Sequence, residues 1–592
     1  MTDTSSEPLV HTEGGTFDEG LVNGYELLQR HPSVAVQQAQ TLLRIASDPR
    51  AFALLAAGYR RLEKDAEAKQ AELSGIRASF AIPRLEQAAI AGQEGRGAQA
   101  RAIIQAFLET QPENLLALTM AAELDIEEWK LEAAEKRLRI VLDRAPDFLR
   151  ALMLLGRCLG AQAKLRESLA VYEGVLARKP NNEFALRALA LAHSEANQHE
   201  DAAEDYKRLL DLDPSPINLW VMYAQELRML GHKEESVATF RRALEVDPNS
   251  GAAWWGLAYY FPQVVTDVDL KAMERALANV GDSAQDAGPI HIALGLIAER
   301  KGDYGEAFQH ITLGKKLRAS GQPAAGNDTA HVDELIQALT PERFAELAGG
   351  GSADNSPIFI IGMPRSGTTL LERILSAHSQ IEAGGELPII ARMASAGAGS
   401  SENNIRSMTR EDLTRLGDTY IERARDYRSG HKPRFIDKMN SNWFRVGLIR
   451  LMLPNARIID LRRNALDCCW SNFKMLFAEG TVAANDQRDI ARFYRDYVRM
   501  VEAVDAASPG GILKVRYEEL VDDLEDQTRR ILDFLGLEYE PACIDFHLST
   551  APVATPSSEQ VRRPINRDSI GSAQPYRQWL GPMIEELGEL AS

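Results

Sequence analysis

Five prolines, at positions 112, 146, 180, 214 and 248, follow one another at intervals of 34 residues. Each closes an apolar-periodic stretch, after Gln111, Ala145, Lys179, Asp213 and Asp247 in turn. Proline lacks the amide hydrogen and clashes with the preceding turn, so a proline at fixed period marks where a helix must stop. Between the stops the residues recur at helical spacing. One helix carries Leu152, Leu155, Gly156 and Leu159, and its partner carries Ser168, Tyr172 and Val175. Leu186, Leu189 and Ala190, then Ala202, Tyr206 and Leu209, repeat the pattern. Trp220, Tyr223 and Ala224, then Ser236, Phe240 and Ala243, repeat it again. The small residues at 156, 190 and 224 let paired helices approach closely. Internal repetition of this length predicts stacked helix pairs that bury a core only by stacking.

This pattern resembles the tetratricopeptide repeat. Residues 251–287 read as a degenerate unit, with Pro262 disturbing its first helix. Residues 288–321 keep Leu294, Gly295 and Ala307 but lack the closing proline. Before residue 112 the phase slips, although helical pairs continue. The predicted organisation is a flexible N-terminus over 1–19, a repeat solenoid over 20–320, a connecting helix and linker over 321–356, and a second domain over 357–592. Tyr172, Tyr206, Trp220 and Phe240 occupy packing positions and are predicted to be core. The resemblance implies a groove that takes a peptide or protein partner.

Composition limits the partners. A net charge of −18 argues against general nucleic-acid binding, which needs basic surface. The four cysteines, Cys158, Cys468, Cys469 and Cys543, suggest neither a disulfide framework nor a zinc site. The polar, acidic start lacks the features of a signal peptide, and no apolar run reaches membrane-spanning length. The expectation is a cytoplasmic protein without membrane insertion.

The glycine-rich stretch 349–357 reads as a linker. After it, Ile358–Ile361 is a short apolar run, Gly362-Met-Pro-Arg-Ser-Gly-Thr-Thr369 a glycine loop, and Leu370–Leu375 the start of an apolar-periodic helix. Strand, glycine loop and helix start form the arrangement that cradles a phosphate on backbone N–H groups. The spacing from Gly362 to Gly367 matches a nucleotide-triphosphate loop, yet Thr368 stands where that motif requires lysine. A cation, Arg365, sits inside the loop instead. A second strand candidate, Ala456–Leu461, runs into Arg462 and Arg463, with Ser471 eight positions after Arg463. Basic residues at a helix start oppose the dipole there, and a bound anion relieves the conflict.

The loop Pro364–Thr369 resembles the 5′-phosphosulfate loop of sulfotransferases, and Arg463 with Ser471 resembles their 3′-phosphate site. The wider match, through Pro357–Glu372, Gly384–Ile390 and Ser557–Val561, resembles the tyrosylprotein branch. Repeats joined to such a domain resemble bacterial repeat-containing sulfotransferases. The resemblance implies an α/β domain with a central parallel sheet, 3′-phosphoadenosine 5′-phosphosulfate as donor, and no required metal. Arg365, Ser366, Gly367, Thr368, Thr369, Arg463 and Ser471 then hold the nucleotide. Tyr517 either lies near the adenine or packs at a strand end. Gln560 and Arg562 or Arg563 belong to a segment implied to close over the nucleotide. Glu386 is implied to be the base, Arg365 and Lys438 the cations at the transferring group, and Ser557 a further hydrogen-bond donor to it. Arg392 matches a peptide-binding arginine, whereas Pro388 stands where the animal enzymes carry another. The acceptor is therefore open among peptide tyrosine, sugar and small alcohol. Two rival readings are a P-loop kinase or NTPase and a non-catalytic repeat scaffold.

Overall fold

The computed structural model describes residues 16–320, 328–395, 402–428, 430, 432–477, 482–549, 561 and 563–591. Two compact units meet in the chain between Ala185 and Leu186.

The first unit is a run of antiparallel helix pairs, among them Pro83–Gln93 with Gly97–Thr110, Leu115–Glu127 with Leu131–Arg144, and Leu149–Ala161 with Leu165–Arg178. Helices end at Thr110, Arg144 and Arg178, two residues before each of the first three periodic prolines. The turn inside each pair needs one residue in the left-handed region. It is supplied at Glu63, Gly95, Trp129 and Ala163, all with φ between 57° and 74°. The first of those intervals is two residues short of the others, which is the phase slip seen before residue 112. Close approach explains Gly156, since a Cβ there would lie 2.4 Å from the Tyr172 ring. Tyr172 is buried, as its packing position predicted.

The second unit opens with further helices of the same kind. They include His199–Leu212, Ile217–Leu230, Lys233–Val246, Gly251–Tyr260, Asp267–Val280, Ala287–Lys301 and Tyr304–Ser320. The left-handed turn recurs at Asn197 and Gly231. Pro262 cuts the helix Gly251–Tyr260 short and starts a single 3-10 turn, as expected of the degenerate unit. Tyr206 and Phe240 are buried, and Trp220 is partly buried with its indole donating to Pro214 O.

A five-stranded sheet follows: β1 (Pro357–Ile361), β2 (Ile381–Ala383), β3 (Arg434–Asp437), β4 (Arg457–Arg462) and β5 (Ile512–Arg516). The order is β2-β3-β1-β4-β5 and every neighbouring pair is parallel. The expected strands at 358–361 and 456–461 are present within one residue at each end. All of β1 is buried, as a strand covered on both faces requires. Ile358, Ile360, Leu371, Ile374, Ile436, Ile459, Val515 and Ile531 share one core beneath the strands. Among the described residues no helix is long and apolar enough to cross a membrane.

Candidate active site

A parallel sheet delivers the chain to the same edge at the end of every strand. Ile361 lies beside Asp460, Phe359 beside Asp437, Ala383 beside Ile436, and Arg462 beside Arg516. The segments that follow those strands, 362–369, 384–386, 438–440, 463–471 and 517, are thereby gathered at one edge, where α/β sheets hold ligands.

The loop after β1 bends tightly. Arg365 has φ 65° and Gly367 φ 100°, and a Cβ on Gly367 would lie 2.5 Å from the Tyr517 ring. Gly367 caps the helix Thr368–Ser376 without any side-chain hydrogen bond to the first turn. The first-turn amides of a helix have no partner within it, so they face the loop as an anion cradle. Ser366 is buried and its hydroxyl has no hydrogen-bond partner among the described residues. Thr368 donates to Asn440 Oδ1 at 3.2 Å, tying the helix start to the loop after β3.

Arg365 Nε donates to Ser471 Oγ at 3.4 Å, so the 5′ and 3′ candidate regions touch. Arg463 is buried, donates to Arg365 O at 3.1 Å and to Ser572 Oγ at 2.8 Å, and also reaches Ser569 O. Its Nε is buried without a partner among the described residues. The guanidinium stands 5.8 Å from the Tyr517 ring. Arg462, by contrast, is spent on Asp460 at 2.7 Å and Glu502 at 2.9 Å. Of the two arginines, Arg462 braces the sheet and Arg463 faces the loop.

On the opposite side of β1, Lys438 Nζ bonds Glu386 Oε1 at 2.8 Å and stands 3.8 Å from Glu372. Burial works hardest on this lysine and disfavours its charge, but Glu386 and Glu372 outweigh it and hold the pKa above the ordinary value. Burial raises the pKa of Glu372, with Lys438 and the Gly385 N–H pulling the other way. Gly385 N donates to Glu372 at 3.0 Å, and Lys438 N donates to Gly385 O at 2.8 Å. The glycine pair is thus pinned from two sides, and Glu386 is presented beyond it, partly exposed. Asp437, wholly buried, accepts from Tyr420 at 2.9 Å and Asn442 at 3.2 Å; burial pushes its pKa up to about 7.

Of the residues singled out in the sequence, Arg365, Ser366, Gly367, Thr368, Thr369, Glu386, Lys438, Arg463, Ser471 and Tyr517 all belong to these gathered segments. Tyr517 is buried and opens the helix Tyr517–Asp522, against the Gly367 backbone. Arg392 lies in the helix Ile389–Ser395 and is paired with Glu195 at 2.7 Å. Arg563 is exposed. Ser557, Gln560 and Arg562 lie outside the described residues. The sequence reading missed Glu372, Asn440 and the 569–573 segment. Glu372 had a signal: it is a carboxylate that follows Leu370 and Leu371 in the otherwise apolar part of a helix. The 569–573 segment had none, because Asp467 receives the Gly571 and Ala573 amides at 2.7 and 2.8 Å across more than a hundred positions of chain.

Residues 357–541 match the sulfotransferase family model, and residues 129–215 and 217–260 match tetratricopeptide-repeat models. The chain is similar to an uncharacterized protein of Aquifex aeolicus (strain VF5), 29% identical over 409 residues, or 67% of this chain and 53% of that one. It therefore spans about half the length of that relative. It is also similar to protein-tyrosine sulfotransferase A of Caenorhabditis elegans, 26% identical over 246 residues, covering 39% of this chain and 62% of that one. Among solved structures, the sulfotransferase domain of the Synechococcus PCC 7002 olefin synthase is 20% identical, with 39% of this chain and 98% of that chain covered and a TM-score of 0.27. Along the chain, the segments that match tetratricopeptide-repeat models precede the one that matches the sulfotransferase family model.

Proposed function

We propose that this protein is a sulfotransferase that moves a sulfuryl group from 3′-phosphoadenosine 5′-phosphosulfate to an acceptor hydroxyl, with a tyrosine side chain of a protein as the favoured acceptor. The observation that carries the reading is the joining of two anion sites at one sheet edge: the Gly362–Thr369 cradle with its internal arginine, and Arg463 with Ser471, linked by the Arg365–Ser471 hydrogen bond. The residues present fit a bisphosphorylated nucleotide. The Ser366 hydroxyl and the Arg463 Nε, both buried and without a partner among the described residues, are placed to donate to its oxygens.

When bound, the donor supplies sulfur on a good leaving group, the 5′-phosphate: the acceptor oxygen bonds to sulfur as the sulfur–phosphate oxygen bond breaks. Glu386 takes the acceptor proton, as a positioned carboxylate can. Lys438, kept charged by Glu386 and Glu372, and Arg365 place positive charge where negative charge develops. Glu372 holds the Gly385 amide and so fixes where Glu386 is presented. No step calls for a metal, and Thr368 in place of the loop lysine disfavours triphosphate chemistry. The C. elegans relative's name supports the tyrosine acceptor; Pro388 marks where the acceptor contacts depart from the animal pattern. The repeats are proposed to recruit the acceptor protein, in the cytoplasm.

Calorimetric titration with adenosine 3′,5′-bisphosphate and with ATP tests the reading. Bisphosphate binding together with transfer of labelled sulfuryl to protein in a lysate is expected. ATP binding without bisphosphate binding would overturn it, and label confined to glycan or lipid would overturn the acceptor.

A further inference from the structure

We propose that the repeat helix Gly251–Tyr260 forms the acceptor-side wall of the active site, with Trp255 and Tyr260 as positioning residues for a phenolic acceptor. The proposal rests on the sulfotransferase reading above.

Three rings at the end of that helix form one cluster. Trp255 stacks on Tyr259 with centroids 4.9 Å apart, and Tyr260 meets both edge-on at 5.4 and 5.1 Å. Beside Tyr260 lies the guanidinium of Arg228, a buried cation 4.1 Å from the ring centroid. The same cluster includes Met475, Leu476 and Phe477, which begin four residues after Ser471 of the proposed nucleotide site. Arg365 lies within electrostatic reach of the Tyr260 phenol and lowers its pKa against the stronger effect of burial. A second repeat segment meets the other side of the site. Asn197 Nδ2 donates to Gly384 O at 3.2 Å, and Glu195 pairs with Arg392. Glu386, two residues after Gly384, is therefore flanked by repeat residues.

The chemistry of the wall indicates what it takes. Tyr259 and Tyr260 are partly exposed, and the Trp255 indole N–H is buried without a partner among the described residues. Flat rings and a thioether complement a flat, apolar ring, whereas a sugar would call for several polar side chains converging on its hydroxyls. An aromatic ring bearing one hydroxyl matches that description.

The test uses the full chain, labelled donor, and two acceptors: 2-naphthol and an acidic peptide with a single tyrosine. Trp255→Ala and Tyr260→Ala are expected to raise the acceptor KM about tenfold while bisphosphate affinity holds within about twofold. Tyr260→Phe, which keeps the ring, is expected to retain most of the wild-type KM. Tyr260→Leu keeps bulk without the aromatic face and is read in parallel, so that a folding loss in the alanine variants does not decide the matter. An unchanged acceptor KM in Trp255→Ala and Tyr260→Leu overturns the wall, as does wild-type transfer to neither acceptor by a protein that binds the bisphosphate. A wild type that fails to bind the bisphosphate overturns the sulfotransferase reading itself.

Discussion

Glu386 and Lys438 sit in one ion pair, but the two are not equivalent. Lys438 is almost wholly buried and has a second carboxylate behind it, whereas Glu386 is partly exposed and its carboxylate bonds the lysine. Removing the carboxylate charge from Glu386 leaves Lys438 facing Glu372, so the site survives without its base. Glu386→Gln is expected to lower the transfer rate about 10²–10⁴-fold, with bisphosphate affinity retained by calorimetry. Full transfer by this variant would remove Glu386 from the mechanism. Asp437, one residue before the lysine, supplies a pH test. Its folded pKa of about 7 lies above the ordinary 3.8, so the folded state holds more protons between those values. Stability must then fall as pH rises from about 4 to about 7 and level off above. Asp437→Asn should flatten that slope in urea unfolding followed across the range. Part of the slope will remain, because burial raises the pKa of Glu372 and Asp460 in the same direction.

Helices in the repeats distinguish glycines that are needed from glycines that are not. Gly156 in Leu149–Ala161 faces Tyr172 with no room for a methyl group, while a Cβ on Gly174 in Leu165–Arg178 would meet nothing within 4 Å. Gly156→Ala is expected to destabilise by about 1–3 kcal/mol through overpacking. Gly174→Ala should stabilise by about 1 kcal/mol through helix propensity. Opposite shifts in the denaturation midpoint would separate the two effects; equal shifts would mean that packing at Gly156 is looser than its contact with Tyr172 implies.

At the scale of the whole molecule, the proposed nucleotide site draws on segments from residue 362 to residue 572, so its occupation should be felt as stability. Adenosine 3′,5′-bisphosphate at about one hundred times its Kd is expected to stabilise the fold that holds the site by about 2.7 kcal/mol. The thermal midpoint would rise accordingly, and Arg463→Ala should abolish most of the rise. A rise that persists in that variant would place the 3′-phosphate elsewhere.

Much of this architecture is legible in the sequence for local reasons. Proline cannot continue a helix beyond its first turn, so a 34-residue period of prolines after apolar-periodic stretches marks helix ends without any knowledge of packing. A glycine loop between an apolar run and a periodic helix declares an anion cradle, because the amides at a helix start lack partners in every fold. Tertiary structure decided what depends on distant segments. It set Arg463 against Arg365 of the loop and brought Glu372 behind Lys438. It also brought Ser572 to Arg463 and set Trp255 and Tyr260 beside Met475 and Phe477. None of these pairs is close in the chain, and their meeting rests on parallel strand order and helix stacking, which local propensities do not encode.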